Sequence, residues 1–129
     1  METMSVDVSI GDATTSVADA RKSALAFLSG LDPPVAEAAA EAVVLVVSEL
    51  VTNALRHAGG TCTVDLTAGL DSVEVAVHDA STQPPRMRTP DLNGGTGGFG
   101  WPVVNRLAHT THVTHPPTGG KTISAHLTR

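Results

Sequence analysis

The apolar positions of this chain change their period several times, and each change marks an element. Ser5 to Ile10, "SVDVSI", alternates polar and apolar residues as a short strand does. Val17, Ala20, Ala24, Phe27 and Leu28 then recur at helical spacing behind a loose capping box of Ser16 and Asp19, and Gly30 marks the end of that helix. Asp32 followed by Pro33 is a second start signal, an N-cap with proline in the first turn. It predicts a long helix from Pro33 to about His57, closed by Ala58, Gly59 and Gly60.

Beyond those glycines the period falls to two. Cys62, Val64 and Leu66 share one face of "TCTVDLTA", and Val73, Val75 and Val77 share one face of "DSVEVAVHD". The Gly69-Leu70-Asp71 turn between them predicts an antiparallel hairpin. Residues 80 to 98 have no period and are rich in proline and glycine, the composition of a lid or binding loop. "WPVVNRLAH" reads as a short helix with Pro102 in its first turn, and Thr110–Val113 and Lys121–Leu127 as two strands joined by a Pro-Pro-Thr-Gly-Gly turn. Together these predict an α+β two-layer sandwich, with helices on one face of a mixed, mostly antiparallel sheet and a single domain over residues 1–129.

Composition narrows the picture. A chain of 129 residues suits one core and should bury roughly two-thirds of its unfolded surface. Aromatic residues make up only 2%, so valine, alanine and leucine must fill that core. The net charge of −5 argues against a nucleic-acid partner, whose phosphates call for a basic face. Cys62 is the lone cysteine and cannot form an internal disulfide. With no charged-then-apolar segment at the N-terminus, the expectation is a cytoplasmic protein. Ala42–Val47 is a short apolar run against the ~20 residues a bilayer requires, so no membrane partner is expected.

Candidate chemistry begins inside the second helix. "VVSELVTNALRHAGG" carries Glu49, Asn53, Arg56 and His57 in an otherwise apolar run. On a helical wheel centred on Glu49, Asn53 lies about 40° to one side, Arg56 about 20° to the other and His57 about 80° off. Val43, Val44, Val47, Leu50, Val51, Ala54, Leu55 and Ala58 fill the opposite arc, while Ala42, Leu45 and Val46 share the polar side. One reading is an exposed edge with Glu49 and Asn53 paired at i, i+4. The other is a cleft in which the Asn oxygen binds Mg²⁺ and the Glu carboxylate accepts a proton. Spacing alone does not separate them.

Asp79 continues the inward series of Val73, Val75 and Val77, and a carboxylate there costs several kcal/mol unless it is paired. Either the strand stops one residue early and Asp79 opens a turn, or the carboxylate lies at the bottom of a pocket and accepts a ligand amine, such as that of adenine. Gly94, Gly95, Gly97, Gly98 and Gly100 stand directly before a helix start, where backbone N–H groups and the helix dipole favour a phosphate.

Other motifs carry less. "GGKT" at Gly119–Thr122 lacks the first glycine of a P-loop, since residue 115 is His115, and it leads into a strand. His109, His112 and His115 alternate faces on a strand and read as solvated surface groups. Cys62 reads as a small core residue, and Arg86 and Arg88 as mobile surface cations.

Taken in order, the motifs resemble a known family. "SELVTNALRHA" resembles the N box of the Bergerat-fold ATP-binding proteins, the group that contains gyrase B, MutL and the histidine kinases. "VEVAVHDAS" resembles their first glycine box and "GGTGGFGWPVVNRLA" their second. Over about residues 7–127 the chain is similar to the small bacterial anti-sigma-factor serine kinases. The resemblance implies ATP and Mg²⁺ as cofactors, Glu49 as general base, Asn53 as metal ligand and Asp79 as reader of adenine. It implies a nucleotide-binding set that also takes in Arg56, His57, Ser81, Gly95, Gly97, Gly98, Phe99, Gly100, Trp101 and Thr122.

Two positions depart from the family pattern. Asp79-Ala80-Ser81 stands where the family has Asp-x-Gly, so Ser81 brings a Cβ close to the base. Lys121 stands directly after Gly120, leaving Thr122 out of phase with Ile123, Ala125 and Leu127. The implied activity is transfer of the γ-phosphoryl group of Mg·ATP to a Ser or Thr of an antagonist protein. The alternatives are a non-catalytic module that sequesters a sigma factor or other regulator, and a simple ATPase output domain. Implied partners are a sigma factor, an anti-anti-sigma protein or both, and a second copy in a homodimer.

Overall fold

Alternation builds the sheet. In the computed structural model, which describes residues 2–9, 17–57, 61–80, 100–117 and 119–129, the strands are β1 (Glu2–Ser9), β2 (Thr61–Ala68), β3 (Ser72–Asp79), β4 (Thr110–Thr114) and β5 (Lys121–Thr128). They form one sheet in the order β1-β2-β3-β5-β4. Every pairing is antiparallel, at one end of the mixed, mostly antiparallel range the sequence pattern allowed. Directly opposed residues share a face, so the register aligns Val6, Val64, Val77, Ile123 and Val113 in a single apolar row across all five strands.

The helices cover that apolar side. α1 (Val17–Ser29) turns Ala20, Ala24 and Leu28 inward, and α2 (Glu37–His57) packs on β2, β3 and β5 and touches α1 and α3 (Gly100–Leu107). Val43, Val46, Val47 and Val51 of α2 are all 0% exposed. β-branched residues are poor intrinsic helix formers, so α2 is held by this packing rather than by propensity. Val46 lies in the core although the wheel put it on the polar side, because α1 and α3 pack on α2 in addition to the sheet.

The fold is the α+β sandwich that the patterns predict, with three differences in its elements. α2 begins at Glu37 rather than Pro33: Pro34 drives the residue before it out of the helical region, so the first turn waits until the prolines are past. β1 begins at Glu2, because β2 offers partners as far as Ala68 opposite Glu2. Glu37–Leu55 has the length and apolarity of a membrane-crossing helix even though its uninterrupted apolar run is short; here it is the central helix of the core. The expected stop at residues 58–60 and the 80–98 loop beyond Ala80 lie outside the described residues.

The other face of the sheet carries polar side chains. His78 bridges Asp65 (Nε2 to Oδ2, 2.7 Å) and Thr122 (Nδ1 to Oγ1, 2.7 Å), while His126 Nε2 lies 2.7 Å from Glu74 Oε2. Arg129 fastens the C-terminal end by donating to the carbonyls of Gly69 and Pro33.

Candidate functional site

α2 brings its polar stripe to the boundary between the core and the surface. Glu49 and Asn53 are both half-buried, flanked by the fully buried Val46 and Leu50. Among the described residues no hydrogen bond or ion pair reaches either side chain, so the local i, i+4 pair is not made. Two hard oxygen-bearing groups one turn apart and partly desolvated form a donor set suited to a magnesium ion with its own waters. The side chains of Arg56, His57 and Trp101 lie outside the described ones, as do residues 81–99, which include Ser81, Arg86, Arg88, Gly95, Gly97, Gly98 and Phe99. Gly100 opens α3, whose Val104 is buried.

At the other end, Asp79 is the last residue of β3, and its side chain is 0% exposed. It faces the core as its phase requires, and it is paired: Lys121 Nζ lies 3.0 Å from each carboxylate oxygen and donates to Oδ1. Lys121 is only 1% exposed and stands directly opposite Asp79 in the β3–β5 register. The start of β5 is pinned beneath β3. Gly120 has φ +76, and a Cβ there would come within 2.2 Å of the Asp79 carbonyl oxygen. Only glycine takes that conformation at that closeness without strain.

Lys121 is the residue that a reading of the sequence undervalues. The signal was present, since it continues the inward series of Ile123, Ala125 and Leu127 just as Asp79 continues Val73, Val75 and Val77. Thr122 consequently points to the opposite face, where it meets His78.

A cavity of about 340 Å³ opens at this end of the sheet, bounded by Asp7, Val8, Thr61, Cys62, His78 and Asp79. The Cys62 thiol is pushed up to about 11, first by burial and then by the carboxylates of Asp79 and Asp7. It is 6% exposed and belongs to the core. A second cavity of about 440 Å³ lies between α1 and α2, where Leu25, Val44 and Leu45 meet Arg21, Glu37, Glu41 and Ser48. His109, His112 and His115 are exposed, and among the described residues no cluster of three or more His, Cys, Asp or Glu could hold a metal.

A two-layer sandwich with an open carboxylate and carboxamide on its central helix, and a buried carboxylate at the end of the middle strand, defines a class of nucleotide-binding domain. The family model of the histidine kinase-like ATPase domain matches residues 11–126, and the chain belongs to that family. Membership implies ATP binding. A search of curated proteins finds no match.

The two ends of the site fit Mg·ATP unequally. Glu49 and Asn53 are half-buried and have no partner among the described residues. Asp79 has its carboxylate sealed against Lys121.

Proposed function

We propose that this chain is an ATP-dependent regulatory kinase of the anti-sigma-factor type, transferring the γ-phosphoryl group of Mg·ATP to a Ser or Thr of an antagonist protein in the cytoplasm. The observation that carries this reading is the placement of Glu49 and Asn53, one turn apart on α2, half-buried and without a partner among the described residues. Bound Mg·ATP supplies the phosphoryl group and a cation that neutralises its charge. The Asn53 carboxamide oxygen holds that cation. Glu49 takes the proton of the substrate hydroxyl as the new O–P bond forms and ADP departs. The glycines ahead of α3 offer N–H groups to the phosphates in this reading, and the start of α3 adds its dipole.

A second reading is a module that holds a sigma factor or another regulator and uses the nucleotide as a structural ligand. It draws support from the sealed Asp79 carboxylate, which weakens the case for tight, selective ATP binding.

Glu49→Ala separates the two. With radiolabelled ATP and a co-purified partner, the variant is expected to keep Mg·ATP binding while transfer falls by about 10²- to 10⁴-fold. Unchanged transfer would remove Glu49 from the reaction. A wild-type chain that binds ATP and never phosphorylates the partner supports the binding module.

A further inference from the structure

The Asp79–Lys121 pair has a consequence for what the base end can recognise. A carboxylate in a pocket selects an amine-bearing base by accepting its N–H, and that selection needs a free, reachable oxygen. Here Oδ1 accepts a hydrogen bond from the Lys121 ammonium, Oδ2 lies 3.0 Å from the same charge, and neither is reachable, since the carboxylate side chain is 0% exposed and the ammonium-bearing residue 1%. The pair is held by position as well as by charge. Asp79 and Lys121 are direct cross-strand partners on the core side of the sheet. Gly120 presses against the Asp79 carbonyl, so the backbone cannot carry Lys121 away without breaking the end of the β3–β5 ladder. A side-chain swing alone would leave the ammonium among the buried apolar groups of the core or the carboxylate bare, and either is strongly unfavourable.

We propose that Lys121 is the specificity-determining residue of the base end. Its ammonium donates to Oδ1 and neutralises the buried carboxylate to which the exocyclic amine of adenine would otherwise donate, so this chain takes purine nucleoside triphosphates without selecting adenine. The inference rests on the nucleotide-binding reading given above. Inosine triphosphate is the informative probe, because it presents a carbonyl acceptor where adenine presents an amine donor. A free carboxylate repels that carbonyl. A carboxylate neutralised by an ammonium does not.

The test is calorimetric titration of the full chain with ATP and with inosine triphosphate, both with Mg²⁺, for wild type, Lys121→Thr and Lys121→Met. Circular dichroism checks that the variants fold. Wild type is expected to bind ATP no more than about 3-fold more tightly than inosine triphosphate, since no hydrogen bond to a charged acceptor distinguishes them. The folded variants are expected to prefer ATP by about tenfold or more, the usual worth of such a bond. A wild-type preference for ATP above that margin overturns the inference and leaves the ATP-binding reading standing. So does a folded variant with no gain for ATP. If neither nucleotide binds wild type or variants, the nucleotide-binding reading fails and the inference falls with it. Should both variants fail to fold, the wild-type ratio decides alone.

Discussion

The two ends of the candidate site solve the same physical problem in opposite ways. Each places an acidic or amide side chain against an apolar core, where an unsatisfied polar group is costly. At the α2 end, Glu49 and Asn53 stop at half burial and keep contact with solvent, so they can fold with no partner among the described residues. At the β3 end, Asp79 is fully enclosed and obtains its partner from β5. Depth of burial decides which course is open. A half-exposed carboxylate can wait for a ligand, whereas one with no exposure must be paired before the chain can fold.

That contrast can be broken most forcefully at Lys121. Replacing it with methionine keeps the stem volume and leaves Asp79 buried without its cation, so urea denaturation should show a loss of about 3–5 kcal/mol. A loss below about 1 kcal/mol would mean that the pair is not structural.

Cys62 sharpens the same end. Its folded pKa is raised from 9.0 to about 11, so between those values the unfolded chain releases the thiol proton while the folded chain keeps it. The resulting contribution is fully present below pH 9 and is lost as pH rises through 11. Stability of wild type minus that of Cys62→Ala, followed from pH 8 to 11 by denaturant titration, should fall over this window. Parallel profiles would show that neither burial nor the Asp79 and Asp7 carboxylates act on the thiol.

The smallest effect belongs to the open end. Glu49→Gln should change folding stability by no more than about 0.5 kcal/mol, because the native side chain makes no bond to any of the described residues. A large loss in the same denaturation assay would mean that Glu49 is a structural group, and would bring the two ends back to one rule.

Much of the fold was legible in the sequence for a local reason. Period two in β2 and β3 and period 3.6 in α1 and α2 each record one buried face, and a single buried face is a local property. The hairpin at Gly69-Leu70-Asp71 and the helical stripe of Glu49 and Asn53 follow from the same rule. Where local signals competed, the outcome was harder to read. Asp32 and Pro33 together signal a helix start, yet the second proline moves it to Glu37. Val46 shares a side with Glu49 on the wheel, and only the packing of α1, α3 and the sheet around α2 made it core.

The sequence by itself determined that Asp79 is in phase with the inward valines of β3 and that a carboxylate on that face needs a partner. It also contained the inward phase of Lys121. Only the tertiary structure decided that these two residues satisfy each other, because the pairing depends on β5 lying between β3 and β4 and on its exact register with β3. Strand order and register are set by the summed packing of distant segments, here a row of apolar residues spanning five strands, and no local pattern carries that sum.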